Sequence, residues 1–328
     1  MPSFRALAMT ALAAVLAVAA PNAAGHAQSA FPTRPVKMIV PYPPGGGTDL
    51  LARALAQQLG QKWQQSVIVE NVGGAGGNLG AEQVARAAPD GYTLLFASPG
   101  PIATNAYMYK TMPYDPAKWV PIAVVATSPY VLVVSPHFDA STLRQVIAEA
   151  RVKPGRLTAA TPGIGSLGQF ATIEFEMLAG IKLLQVPYKG LSPAVTDVLG
   201  GNVNMMFDML ATSLPLHRAD KEKIVAVGAT ARVPSLPDVP TLAEAGVPGY
   251  RAVTFFGIVA PPRMPDALAD KINADVVAAL NDHDFIEKTK ALGMDLAPGS
   301  RAQAAKFFAD ERTLWGKVIK QAGIKPME

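Results

Sequence analysis

VKMIVPYPPGGGTDLLARALAQQLG, residues 36–60, is the stretch from which the fold is read. Four of its first five residues are apolar, the mark of a buried strand, and Pro41 ends the run because proline has no N–H for a sheet ladder. Leucines at 50, 51, 55 and 59 then fall at helical spacing, and Gly60 is expected to stop that helix. Gly45, Gly46 and Gly47 make the turn between them. Strand, glycine turn and helix are half of a parallel βαβ unit.

The pattern recurs outward from this stretch. Strands are expected at 66–70 and 92–97 with a helix at 79–88 between them, and Pro89-Asp90-Gly91 as a turn. Residues 120–135 (VPIAVVATSPYVLVVS) are too long for one ordinary strand and are expected to break at Ser128-Pro129. A second extended run, 253–260, precedes Pro261-Pro262. Between these runs lies another α/β series. It has helices at 141–152 and 166–179, a helix capped by Ser192 with Pro193 in its first turn, and strands at 157–160, 182–186, 203–207 and 224–228. Helices at 266–280 and 301–322 follow, and Ser166/Gln169 and Ser300/Gln303 are both spaced as capping boxes. Two long strands flanking an α/β block imply two doubly wound α/β domains joined by two crossover hinge strands. The boundaries expected are 28–126 plus 252–328 for lobe 1 and 127–251 for lobe 2. Open α/β sheets bind ligands in such a crevice, outside the carboxyl ends of the strands.

Composition narrows the function. Half of the 328 residues are hydrophobic and 16% are charged, which suits packed cores rather than disorder. The formal charge is +4 with no run of Lys or Arg, so no nucleic-acid partner is expected. Cysteine is absent, which excludes disulfides, thiolate catalysis and sulfur-built metal sites. The four histidines, at 26, 137, 217 and 283, offer no close pair. Neither metal nor cofactor is expected. Arg5, the uncharged small-residue run 6–20 and the small-x-small triplet Gly25-His26-Ala27 have the layout of a secretory signal peptide. Residues 1–27 are therefore expected to be removed and the mature chain, from Gln28, exported. The apolar run is shorter than the roughly 20 residues of a membrane anchor.

Windows 41–50, 71–80 and 161–170 read PYPPGGGTDL, NVGGAGGNLG and TPGIGSLGQF, and hold eleven of the 28 glycines but one charged residue, Asp49. Each lies between an expected strand and an expected helix. Glycine there lets a ligand approach the backbone, and the helix start offers unpaired N–H groups with a partial positive charge. Several such turns facing one cleft hold a small anion with dipoles in place of arginine. Charge-assisted hydrogen bonds contribute roughly 1.5–3 kcal/mol each. Micromolar affinity needs about 8 kcal/mol, so a handful suffices. Thr48, Asn78 and Ser166 add neutral polar groups. No window has the lysine of a phosphate-binding loop. Gly74, Gly76 and Gly80 miss the dinucleotide spacing by one residue, and Ile164 breaks a hydrolase elbow at Ser166.

At these residues a resemblance becomes specific. FPTRPVKMIVPYPPGGGTDLLAR (31–53), ENVGGAGGNLGAEQVARAAPDGYTLL (70–95), VPYKGLSPAVTDVLGGNVNMMFD (186–208), LPDVPTLAEAGVPGY (236–250) and WGKVIKQAGIKP (315–326) resemble, in order, the tripartite tricarboxylate transporter substrate-binding proteins, the Bug family of periplasmic receptors. The resemblance implies a two-lobed, type II-like periplasmic-binding-protein fold that closes on a small carboxylate and presents it to membrane permease subunits, with no enzyme activity. It also implies that backbone amides and ordered water hold the carboxylate. Matched by position, Tyr42, Gly46, Gly47, Thr48 and Asp49 form the first loop of that site; Gly76, Gly77 and Asn78 the second; Ser98 begins the exit of the third strand. Thr161, Pro162, Gly163 and Ser166 come from the second lobe, with Tyr188 and Asp208 nearby. Two positions depart from the family's common pattern: Gln169 stands where histidine is usual, and Met209 where asparagine is.

Other candidates are weaker. Asp49 and Asp208 form a conceivable acid–base pair for a hydrolase or isomerase, but Asp49 equally suits the first turn of a helix, with Arg53 one turn on as its partner. Lys189 reads as a solvated turn residue and His217 as surface. Phe255-Phe256 reads as hinge or core, or as a ring for stacking on a planar ligand, and Tyr107 and Tyr109 have no assigned place. A monomeric periplasmic receptor for a mono-, di- or tricarboxylate, acidic amino acids and aromatic acids included, is the function expected. A sensor for a membrane signalling partner is the alternative on the same fold.

Overall fold

Strand β1 (Val36–Val40) lies between two parallel neighbours, β2 (Val67–Asn71) and β3 (Thr93–Ala97). The computed structural model describes residues 31–163, 165–188, 190–291 and 293–327, so the expectations for residues 1–27 and for Lys189 fall outside it. Helix α1 (Gly47–Trp63) follows β1 and buries Leu51, Leu55 and Leu59 on one face. It does not stop at Gly60. The Trp63 indole donates to the Asp275 carboxylate at 2.7 Å, a tertiary contact that outweighs the roughly 1 kcal/mol cost of a mid-helix glycine. Helix α2 (Asn78–Ala85) links β2 to β3, and a short helical stretch ending in α3 (Asn105–Met108) follows β3.

The long run 120–135 forms one strand, β4 (Val120–Val134), and does not break at Ser128-Pro129. It changes partners there instead. Val120 to Pro129 pair with antiparallel β9 (Val253–Ala260), whereas Tyr130 to Val134 lie between β7 (Met205–Met209) and β8 (Lys223–Val227). Pro129 carries no N–H, so a change of ladder costs least at that residue. Helix α4 (Leu143–Val152) precedes β5 (Thr158–Thr161), α5 (Leu167–Ala179) precedes β6 (Leu184–Pro187), and α6 (Leu191–Leu199) leads to β7. Strands β6 and β7 both run parallel to β5. The sheet order is β2-β1-β3-β9-β4-β7-β5-β6, with β8 and the two-residue β10 (Asp295–Leu296) also on β4. Each end is thus a small parallel sheet, and the two long antiparallel strands join them.

Two corrections concern helices of the second half. The cap of α6 is Gly190, and Ser192 lies inside its first turn. Helix α7 (Leu210–Arg218) has no counterpart in the sequence reading because it contains Pro215, which removes an i→i−4 bond and hides the helical pattern. Helices α8 (Asp266–Leu280), α9 (His283–Ala291) and α10 (Arg301–Gln321) complete the chain, and α10 begins with the expected Ser300/Gln303 capping box.

Alternation along the strands builds separate cores on the two faces of the second half. Leu132, Val134 and Phe207 face Phe170, Phe175 and Tyr250, while Val131, Val133 and Met206 face Val198, Leu210 and Ile224. The first half packs Ile39, Leu95, Ile102 and Phe255 together. Helix α10, roughly 31 Å long by its 21 residues, serves both halves: Phe308 joins the first core, and Trp315, Val318 and Ile319 join the second. Among the described residues no helix is long and apolar enough to cross a membrane.

Candidate functional site

Where the two halves meet lies a cavity of about 410 Å³. A larger trough of about 830 Å³ runs past Arg53, Gln57, Gln61 and Gln64. That trough is an open surface of α1 and β2 alone, whereas the smaller cavity is lined by turns from both halves and by both hinge strands. Pockets of a few hundred Å³ at such junctions are where small ligands bind.

The first wall comes from the turns after β1, β2 and β3. Tyr42 Oη accepts a hydrogen bond from Ser98 Oγ at 2.9 Å, and both side chains line the cavity. Burial pushes the Tyr42 phenol up to about 12, with Ser98 offsetting part of the rise, so it stays a neutral donor. Gly46 is the N-cap of α1 and no side chain caps this helix, so its first N–H groups have no capping side chain, and Gly47 and Thr48 line the cavity. Gly76 has φ +64° and lies under Tyr109, where a Cβ would stand 2.7 Å from Tyr109 Oη. Its neighbour Gly77 is buried against Pro41 and Pro101 rather than on the cavity.

The opposite wall is the turn after β5. Pro162, Gly163, Gly165, Ser166 and Leu167 all line the cavity. Ser166 Oγ donates to Gly163 O at 2.7 Å and accepts from Gln169 N at 3.2 Å, so it stiffens the loop as well as capping α5. Gln169 Oε1 accepts from Gly165 N at 2.8 Å, one residue earlier than a capping box requires. The histidine-to-glutamine departure therefore sits in loop support. The methionine departure sits in the cavity wall, for Met209 lines it directly.

Seven of the expected residues do not line the cavity: Gly46 is exposed at the cap of α1, and six stand behind the wall. Asp49 accepts from Gly45 N (2.9 Å), Arg53 Nε (3.1 Å) and Asn71 Nδ2 (3.0 Å). Burial opposes its ionisation, but Arg53 and these donors outweigh it and hold the carboxyl below its ordinary range. Asn78 Oδ1 accepts from Asn105 Nδ2 and Tyr114 Oη at 2.7 and 2.9 Å. Gly77 packs against Pro41 and Pro101, and Thr161 ends β5 fully buried. Tyr188 Oη donates to Asp197 at 2.6 Å. Asp208 accepts from Met209 N and Ser213 Oγ at 2.7 and 3.1 Å, and burial raises it to about 6. Asp49 and Asp208 are thus each engaged in their own half.

Sequence reasoning missed part of the wall. Thr104, Asn105, Met108 and Tyr109 come from the helical turn after β3, signalled only by Pro99-Gly100-Pro101. Tyr130, Thr254 and Phe256 come from the hinge strands; of the Phe255-Phe256 pair, Phe255 is core and Phe256 faces the cavity. Met327 arrives from the far end of the chain, tied by Met327 N to Met108 O (2.7 Å) and Lys110 N to Met327 O (2.9 Å). A Cβ at Gly165 would lie 2.9 Å from Met108 Cε and 3.8 Å from Met327 Cε, so the two halves touch here. Among the described residues lining the cavity none is charged. Among the described residues, no three of His, Cys, Asp and Glu gather where they could hold a metal ion.

Comparison with known proteins gives consistent relatives. The tripartite tricarboxylate transporter family receptor matches residues 51–324. Protein BugT of Bordetella pertussis is 34% identical over 97% of this chain and 99% of its own. The structure of R. palustris Rpa4515 with adipate is 36% identical, with a TM-score of 0.80 over 90% of this chain and all of its own. MatC (Rpa3494) from Rhodopseudomonas palustris, solved with bound malate, is 30% identical, with a TM-score of 0.76 over 88% of this chain and all of its own.

Proposed function

The chain belongs to the tripartite tricarboxylate transporter receptor family, and from that premise we propose that it captures a small carboxylate in the periplasm and delivers it to the membrane subunits of such a transporter. The family is one of substrate-binding receptors rather than enzymes. The observation that carries the ligand class is a cavity at the junction of the halves, bordered by the uncapped start of α1 and the start of α5, with no charged side chain among its described lining residues. Helix starts favour an anion, and convergent N–H groups bind it without basic side chains. Adipate and malate occupy two relatives, which supports a carboxylate here.

In this reading Tyr42, Gly47, Thr48, Gly76, Ser98, Pro162, Gly163 and Ser166 touch the ligand, and Gly46, as the cap, leaves the first N–H groups of α1 without a capping side chain. Asp49, Gly77, Asn78, Thr161, Tyr188 and Asp208 hold those residues in place. Lobe 1 is 28–126 plus 252–328 and lobe 2 is 127–251, hinged at β4 and β9, and the exported monomer begins near Gln28 after removal of residues 1–27. Calorimetric titration of the mature chain against a panel of carboxylates, sugars and amines tests the ligand class. Carboxylates alone are expected to bind, without turnover, and Lys189→Met is expected to bind them as the parent does. Binding confined to sugars or amines, or lost with Lys189, refutes a dipole-held anion.

A further inference from the structure

Beside its polar groups, which include Thr104, Asn105 and Thr254, the cavity carries a set of sulfur and ring side chains. Its floor carries Tyr130, Thr254 and Phe256 from the hinge strands and Met209 from β7, with Tyr130 and Met209 directly opposite one another across the β4–β7 ladder. The side that meets Gly165 carries Met108 and Met327, and Tyr109 lies over Gly76. Methionine adapts its shape to a neighbour, and its sulfur is attracted to ring edges. Aromatic side chains stack on or edge against a planar partner. Both features suit a flat apolar body better than a flexible polar one.

Charge argues the same way. One carboxylate can take the N–H groups at the starts of α1 and α5, together with the neutral Tyr42 phenol. A second would be buried among methionine and aromatic side chains, with only neutral polar neighbours such as Thr104 and Thr254 and no cation among the described lining residues to pair with it, an unfavourable burial. Resting on the carboxylate-receptor reading, we infer that the ligand is an aromatic monocarboxylate whose ring lies against Tyr130, Met209, Phe256 and Met108.

Titration of the mature chain with benzoate, 4-hydroxybenzoate, 2-naphthoate, adipate, malate, citrate and benzamide tests this. At least one aromatic acid is expected to bind about tenfold or more tighter than adipate, malate and citrate, with benzamide weaker than benzoate by at least about tenfold. If a di- or tricarboxylate binds tightest, the aromatic class is wrong while the carboxylate reading stands. If benzamide equals benzoate, or no carboxylate binds, both are wrong. Met209→Lys supplies the missing cation. It is expected to shift the adipate-to-benzoate affinity ratio toward adipate by about tenfold; an unchanged ratio counts against a ring seated on Met209.

Discussion

Glu222 and Asp208 are both buried carboxylates, close enough for the charge of Asp208 to act on Glu222. Glu222 is 4% exposed, neither of its oxygens accepts a hydrogen bond, and the hydroxyl of Ser213 is given to Asp208. Burial pushes Glu222 up to about 7, with the nearby Ser213 hydroxyl offsetting part of the rise and the Asp208 charge adding to it. A group raised in this way binds its proton more tightly folded than unfolded, so its contribution to stability is lost as pH rises from about 4.5 to about 7. Asp208, raised to about 6, and Glu174, raised by burial to about 7, act in the same direction. Melting temperature is expected to fall between about pH 5 and pH 8, and Glu222→Gln to recover part of that fall while matching the parent near pH 5. A variant that melts lower at both values would mean the ionised carboxylate has a partner. Residue identity alone did not foretell any of this, since burial is a property of neighbours. Asp49 is the converse case: its place in a first helical turn and its pairing with Arg53 could both be read from spacing.

Among elements, the caps of α5 and α10 make a controlled comparison. Ser166 and Ser300 both accept from the backbone N–H three residues on, at 3.2 and 3.3 Å, so replacing either with alanine is expected to cost about 1 kcal/mol of stability. Only Ser166 also holds Gly163 O in the cavity turn. Ser166→Ala is therefore expected to weaken carboxylate binding, whereas Ser300→Ala leaves it unchanged; equal affinities in a titration would remove the turn from the site. Strands and capped helices were legible because hydrophobic period and cap chemistry are local. The helical turn after β3 and helix α7 were not, because Pro99, Pro101 and Pro215 suppress the local signal and packing overrides it.

For the whole molecule the decisive arrangement is one sheet whose two ends are separate parallel blocks, with β4 changing partners at Pro129. Gly228 N donates to Tyr130 O at 2.7 Å and Ala252 N to Gly228 O at 2.9 Å, so the crossover is tied where the halves part. Closure by rotation about β4 and β9 predicts that small-angle scattering will record a smaller radius of gyration with the tightest-binding carboxylate than without ligand. An unchanged radius would point to a preformed cavity. Helix α10, packed into both cores, would have to bend or slide in that motion. By itself the sequence determined the α/β pattern, the three glycine turns and their readiness for an anion, because each depends on residues within about ten positions of one another. Only the tertiary structure decided that Met108, Tyr130, Met209, Phe256 and Met327 line one cavity, since contacts between residues as far apart in the chain as Met108 and Met327 are set by how two cores pack. It also decided that Asp49, Asn78 and Tyr188 give their polar atoms to neighbouring residues, because burying a polar atom costs less where it meets a partner.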